Sequence, residues 1–436
     1  MCSQRMNAWA TVICLIFLLM TYEVDTLDNG LALRPPMGWM SWQRFRCQTD
    51  CSRYPDDCLS EKLIKRTADK LVETKLKDAG YVYVIIDDCW PTMARDPQTH
   101  ELLPDPSRFP SGLRELSDYI HKRGLLFGIY LDYGKYTCAG YPGTLGHLEE
   151  DAKSLAKWGV DYVKVDGCYA DPREMPDGYQ LLGKYLNQTG RPIVYSCSYP
   201  AYINWLDKPD AIDWKRLATN CNLWRMLEDV QDSWASVTSI LKHYATHEDL
   251  MFSTNGVGHW NDMDMLLLGN YGLSEDQMRV QMGVWSLLSV PLLLSADLDT
   301  IDPVSLSLAK NPRLLELNQD ISGWQSARKV KEVDGVQVWV RNLGKDWALA
   351  FIRFADGGFP MRIEMTLEQI DTRIAPEVYE FVDIFTGETV GKRNVQDQWA
   401  VKVNPSGIVL YRLKPTPNFE DNPWSLLAMR LGQLMV

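Results

Sequence analysis

The run YVKVDGC holds the residues best placed to do chemistry. Residues 162–165 read as a short buried strand of apolar, aromatic and β-branched side chains that stops abruptly at Asp166-Gly167. Side chains two apart along a strand share a face, so Lys164 and Asp166 are expected to point the same way at the strand's C-terminal end. A neighbouring cation favours the ionised form of a carboxyl. An ionised carboxylate held at the mouth of a barrel is suited to attack an anomeric carbon. Taken alone, a Lys-x-Asp pair reads first as a structural ion pair; the rest of the chain reverses that balance.

Retaining cleavage of a glycosidic bond needs a second carboxyl about 5–5.5 Å from the first. The segment CNLWRMLEDVQDSW offers Glu228, Asp229 and Asp232 beyond Arg225. The pattern does not choose among them, although Asp232 reads as the N-cap of the amphipathic run that follows. Asp87-Asp88-Cys89-Trp90 closes another apolar strand. Paired acids there could bind a metal, act as catalysts or accept hydrogen bonds from sugar hydroxyls, and no third acid or His is close in sequence. The six histidines include none near a Ser-x-Gly elbow, which argues against Ser-His-Asp hydrolysis. No phosphate-binding or dinucleotide fingerprint occurs.

The elements that must position these residues alternate. Strands are expected at 37–42, 81–87, 126–131, 162–166, 193–197, 222–225 and 291–295, with the seventh of the series at either 251–253 or 258–262. Helices are expected at 61–79, 111–123, 147–158 and 232–246. Alternating strands and helices imply a parallel sheet, and eight strands over this length imply an α/β fold of the closed (β/α)8 TIM-barrel type. Several strands end in polar or aromatic residues (Trp42, Asp87, Asp88, Tyr130, Asp166, Ser198, Arg225), at the end where barrel active sites lie. Beyond residue 322 the rhythm changes to strands at 336–340, 347–353, 361–365, 378–383, 399–403 and 408–413, separated by Gly-containing turns. That predicts an antiparallel β-sandwich. The expected division is a signal peptide at 1–26, the catalytic barrel at 27–321, the sandwich at 322–414 and a tail at 415–436 with a short helix near 423–434.

The chain of 436 residues has a net charge of −12 and no basic stripe, which argues against a nucleic-acid partner. Arg5 followed by an apolar run at 8–20 sits where a signal peptide belongs, the other reading being an anchor left in place. No later stretch is long and apolar enough to cross a membrane. Eight of the 10 cysteines lie beyond the leader, between Cys47 and Cys221. An even number in a secreted chain suggests disulfides, whose pairing composition alone leaves open. Asn187-Gln-Thr is a glycosylation sequon that agrees with secretion.

The motifs LDNGLALRPPMGWMSW, IIDDCWP, YVKVDGC, LWR-x3-D and HWNDMDML together resemble the lysosomal α-galactosidase and α-N-acetylgalactosaminidase family of glycosidases. The resemblance runs through the barrel and, more loosely, into the sandwich. It implies a retaining mechanism without metal or organic cofactor, a lysosomal location, a glycan substrate and a homodimer. It assigns Asp166 as nucleophile and, from the Arg-to-acid spacing of four, Asp229 as acid/base. Trp42, Asp87, Asp88, Tyr130, Lys164, Cys168 and Arg225 match sugar-contacting positions. The implied disulfides are Cys47–Cys89, Cys51–Cys58, Cys138–Cys168 and Cys197–Cys221. In SCSYPAY the α-galactosidases of the family carry Glu and Leu where this chain has Ser198 and Ala201. Small residues there leave room for an N-acetyl group, with Ser198 able to bond its carbonyl and Ala201 and Tyr202 to contact its methyl. The chain departs from the family's usual residues at Met263, at Tyr199 and in Met226-Leu227-Glu228.

Overall fold

The computed structural model describes residues 29–203, 211–322, 326–375 and 377–416. The expected signal peptide at 1–26 and the tail helix near 423–434 lie outside the described residues.

Eight parallel strands build the first region: β1 Met37–Met40, β2 Tyr83–Ile86, β3 Leu126–Asp132, β4 Tyr162–Asp166, β5 Val194–Cys197, β6 Leu223–Arg225, β7 Trp260–Asp262 and β8 Leu292–Leu294. They pair in the order β7-β6-β5-β4-β3-β2-β1-β8. The remaining gap between β7 and β8 is bridged just past β7, where Leu266 pairs with Leu294 in parallel. Nearly every strand residue is buried and most are apolar, because helices cover the outside while layered side chains fill the inside. Of the two candidates for the seventh strand, 258–262 contains it. The other, 251–253, lies in the helix Glu248–Thr254.

Two local expectations are corrected. The helix expected over 61–79 ends at Glu73. Lys75 takes a left-handed backbone with φ +64, and Lys77 N–H turns back to Leu71 O at 2.9 Å, which closes the helix. The helix expected from Asp232 starts at Trp234, and its cap is Ser233, whose hydroxyl accepts from Ser236 N–H. Asp232 instead accepts from the backbone N–H groups of Tyr271 and Gly272, at 3.0 and 2.9 Å, tying down the loop after β7.

The second region is entirely antiparallel. Its strands are β9 Arg328–Val333, β10 Val336–Leu343, β11 Asp346–Arg353, β12 Met361–Met365, β13 Val378–Asp383, β14 Thr389–Asn394, β15 Trp399–Val403 and β16 Gly407–Pro415. Six form one sheet in the order β14-β13-β16-β11-β10-β9, and β12 pairs with β15. A separate core around Phe351, Phe381 and Trp399 fills the space between the sheets. The strands β9 and β14 were not expected. Both are edge strands, rich in Lys and Arg and largely solvated, so they lack the alternating apolar signal.

Arg341 of β10 fastens this region to the barrel. Its guanidinium donates to the carbonyls of Leu287 and Leu317, at 3.3 and 2.8 Å, near the C-terminal ends of two barrel helices. Carbonyls there lack intrahelical partners and attract a cation.

Candidate active site

A cavity of ≈240 Å³ opens at the C-terminal ends of the barrel strands. It is lined by Asp87 and Asp88 after β2, Tyr130 of β3, Lys164 and Asp166 of β4, Ser198 after β5 and Arg225 of β6. Trp42, Ala201, Tyr202 and Asp229 complete the predicted set, and Cys138, Leu227 and Glu228 join it. Trp42 does not belong to a strand as expected: it opens a one-turn helix, Trp42–Phe45, behind β1. Cys168 is not among the lining residues. It is joined to Cys138, which is, through a disulfide.

The four bridges are Cys47–Cys89, Cys51–Cys58, Cys138–Cys168 and Cys197–Cys221, the pairs implied by the resemblance. The third ties the loop after β3 to the loop after β4. These loops also touch at Gly134, where an added Cβ would lie 1.7 Å from Cys168 O, so only glycine fits. The sulfurs of Cys138 and Cys168 cluster with the Asp132 carboxyl, but bonded to each other they are not the thiolates a metal would need.

Lys164 does not make its ion pair with Asp166, as the strand pattern suggested. Its Nζ lies 2.8 Å from Asp87 Oδ2, and both side chains are at most 5 % exposed. The physical reason is the layering of a barrel, where alternate strands such as β2 and β4 send side chains into one layer. Burial pushes the Asp87 carboxyl up to about 6 against the pull of Lys164. Burial would lower the Lys164 ammonium, but Asp87, Asp166 and Asp229 outweigh it and hold the lysine protonated.

Asp166 accepts from three donors. The Tyr130 hydroxyl reaches Oδ2 at 3.1 Å, the Gly167 N–H reaches Oδ1 at 3.2 Å, and the Tyr202 hydroxyl also donates to Oδ1. Donors of this kind stabilise a carboxylate and fix its orientation. Tyr202 thus uses its hydroxyl on Asp166 while its ring forms cavity wall.

Asp229 accepts from Trp42 Nε1 at 2.8 Å and from Arg225 at 3.2 Å. Burial raises its pKa, but the charges of Arg225 and Lys164 and these hydrogen bonds prevail, holding the carboxyl below its ordinary value. Arg225 is itself buried and gripped by Asp264 at 2.9 Å.

Three carboxyls of this network escaped the sequence reading. Asp264 holds Arg225 and also accepts from Val230 N–H at 2.7 Å, so it sets the loop that carries Asp229. Asp262 accepts from Asp264 N–H at 2.8 Å. Asp132, 1 % exposed, accepts from Gly134 N–H at 2.7 Å and Cys168 N–H at 3.1 Å, and lies 3.3 Å from the Tyr130 hydroxyl. Burial, reinforced by the Asp166 charge, pushes its pKa up to about 8. Asp132 ends its strand as Asp166 does, and the two pair in register across β3 and β4. A strand-terminal acid was therefore the available signal.

Over residues 34–320 the chain matches the family described as Alpha galactosidase A. The chain belongs to that family. Residues 323–407 match the Alpha galactosidase A C-terminal beta sandwich domain. The family is one of retaining glycoside hydrolases, and the chain is an enzyme of that class. Among its relatives, the alpha-N-acetylgalactosaminidases of Rattus norvegicus and Homo sapiens are each 44 % identical to it. The alignments cover 92 % and 91 % of this chain and 95 % and 96 % of theirs. The alpha-galactosidase A of Homo sapiens is 40 % identical over 89 % of this chain and 91 % of its own. The crystal structure of alpha-galactosidase I from Mortierella vinacea superposes with a TM-score of 0.78 at 30 % identity, covering 90 % of this chain and 100 % of that one. The motifs IIDDCWP, YVKVDGC and LWR-x3-D coincide with strand ends that line the cavity, and LDNGLALRPPMGWMSW supplies Trp42 just past β1, whereas no residue of HWNDMDML is among the lining residues.

Proposed function

We propose that this chain is a retaining exoglycosidase that removes terminal α-linked N-acetylgalactosamine from glycolipids and glycoproteins and releases α-galactose more weakly. Asp166 attacks the anomeric carbon as the bond to the leaving oxygen breaks, and Asp229 gives that oxygen its proton. Asp229 then takes a proton from water, which displaces Asp166 and restores the anomeric configuration.

The observation that carries the specificity is the hydroxyl of Ser198. Ser198 is one of the residues lining the cavity and is 3 % exposed, and its hydroxyl oxygen is buried with no hydrogen-bond partner among the described residues. A buried unpaired hydroxyl is costly. An acetamide carbonyl beside it would accept its proton, and the small Ala201 leaves room for the methyl. Plain galactose leaves the hydroxyl unmatched and part of the pocket unfilled, a handicap of about 1–3 kcal/mol. The identity to alpha-N-acetylgalactosaminidases supports the same reading.

Matched nitrophenyl glycosides test it. kcat/KM for the α-N-acetylgalactosaminide should exceed that for the α-galactoside by about 10- to 200-fold. Preference for galactose would make the protein an α-galactosidase, and turnover of neither would leave a sugar-binding barrel. Because Asp229 must be protonated in the first step and its carboxyl is held low, activity should fall as pH rises above the acid range. A rate flat from about pH 4 to 8 would remove Asp229 from that role.

The same reading places the mature protein in the lysosome by way of the secretory pathway, as a homodimer that needs no cofactor, with a glycan on Asn187. Four disulfides and the exposed position of Asn187 at the end of the helix Met175–Gln188 support the route.

A further inference from the structure

The motif HWNDMDML adds nothing to the cavity lining, yet it carries two buried acids, Asp262 and Asp264. Asp264 lies two residues past β7 and takes a left-handed backbone with φ +72. In a residue other than glycine that conformation is uncommon and has to be held by its surroundings. Its N–H donates to Asp262 Oδ1 at 2.8 Å, and its carbonyl accepts from Trp285 Nε1 at 2.9 Å. Its carboxyl accepts from Met265 N–H at 2.8 Å and from Val230 N–H at 2.7 Å. So fixed, it faces Arg225.

Arg225 is divided between two acids. Its Nη1 lies 3.2 Å from Asp229 Oδ1. Its Nη2 lies 2.9 Å from Asp264 Oδ2 and also reaches the carbonyls of Leu227 and Glu228, at 3.1 and 3.0 Å. Asp229 therefore receives one arm of the guanidinium, not the two-pronged grip that an undivided arginine gives a carboxylate.

We propose that Asp264 is a positioning residue for the acid/base: by engaging Nη2 it limits the pull of Arg225 on Asp229 and leaves Asp229 able to carry the proton that the leaving oxygen needs. The proposal rests on the reading of Asp229 as acid/base.

The charges give the effect its sign. Burial would lower the Arg225 guanidinium, and Asp264 leads the acids that outweigh it, followed by Asp229 and Asp262. Burial pushes the Asp264 carboxyl up and Arg225 pulls it down, while the N–H donors around it favour the charged form. Removing that charge leaves Arg225 to Asp229 and takes away a like charge. Both changes favour ionised Asp229, so Asp229 gives up its proton at lower pH. The other charged groups about Asp229 are unaltered by such a change. They are Lys164 of β4, Asp166 in the same cavity, Glu228 beside it in the chain, Arg46 over the Trp42 ring at 5.1 Å and His243 of the helix Trp234–Thr246.

Asp264→Asn tests the assignment. Asparagine tolerates the left-handed backbone and its amide oxygen still accepts from an N–H, so the exchange removes charge while keeping shape. Asp264→Gly removes the same charge with a residue that takes this backbone freely. Two α-glycosides of whichever sugar the protein cleaves better are compared. The phenyl glycoside needs a proton on its leaving oxygen; the 2,4-dinitrophenyl glycoside does not. In both variants the alkaline limb of kcat/KM on the phenyl glycoside should move down by about 0.5–1 pH unit. Above the wild-type limb that is a loss of about 3- to 10-fold, while the dinitrophenyl glycoside should change less than about twofold. An unmoved limb in whichever variant folds, or equal losses on the two glycosides, would overturn the proposal, since a merely structural role lowers both rates alike. Asp229→Asn separates that failure from failure of the acid/base reading. It should lose the phenyl glycoside at least about tenfold more than the dinitrophenyl one. Equal losses there would remove Asp229 from its role, and the proposal with it.

Discussion

Among the described residues, the barrel gathers Asp87, Asp88, Asp132, Asp262 and Asp264 with Lys164 and Arg225 at one end of its strands, all buried. The buried charged side chains of the sandwich are Arg341, Arg353 and Asp371, spread over separate strands and turns. Each of these three has a local structural use: Arg341 binds carbonyls of the barrel helices, Arg353 those of Gly357 and Phe359, and Asp371 pairs with Arg373. Burying a charge costs stability unless it is paired, and even a pair seldom repays the loss of water. Five acids against two bases cannot be a device for stability. Their concentration at one rim marks chemistry, whereas the sandwich confines its energy to an apolar core.

The contrast can be broken most sharply at Asp166. Asp166→Asn should lower kcat by about 10⁴-fold or more while leaving the melting temperature near that of the wild type. Retained turnover would mean that the nucleophile lies elsewhere in the rim.

The sandwich offers the converse. Phe381 is fully buried, with its ring 5.0 Å from Trp399 and 5.7 Å from Tyr411. Phe381→Ala should cost about 3–5 kcal/mol of stability by leaving a cavity. Folded variant should keep kcat/KM within about twofold of the wild type, because the site belongs to the barrel. A larger loss in folded protein would show that the sandwich shapes the site.

The smallest effect is the most diagnostic of the acidic rim. The Asp132 carboxyl has a folded-state pKa of about 8 against an ordinary 3.8. Between those values the folded protein holds a proton that the unfolded chain has released, so stability falls as pH rises through the window. Asp87 and Asp262, each raised to about 6, add the same sign in its lower part. The melting temperature should therefore drop from about pH 5 to about pH 8, and Asp132→Asn, neutral throughout, should flatten the upper part of that slope. An unchanged slope would mean that Asp132 is ionised in the folded protein.

Much of the site was legible because its members stand at strand ends, where an apolar run meets an acid. Asp87, Asp88 and Asp166 announce themselves that way. Pattern alone did not separate Asp229 from Glu228 and Asp232, since all three follow Arg225 within one segment. Local geometry decided Asp232, whose carboxyl is taken by Tyr271 and Gly272. The partner of Lys164 was misread because the nearest acid in sequence is not the nearest in a barrel layer. The edge strands β9 and β14 were missed because their charged, solvated residues carry no apolar alternation.

The sequence by itself determined the alternation of buried strands and amphipathic helices, the change to antiparallel strands near residue 322, and the acids that close the strands. These follow from local preference and burial, which a short window of residues records. Only the tertiary structure decided that Lys164 meets Asp87 across 77 residues, that Asp264 grips Arg225, and that Asp132 loses its contact with water. Those contacts depend on how the barrel's strands align and close, and burial then sets the charge each group carries; neither is a property of any one segment.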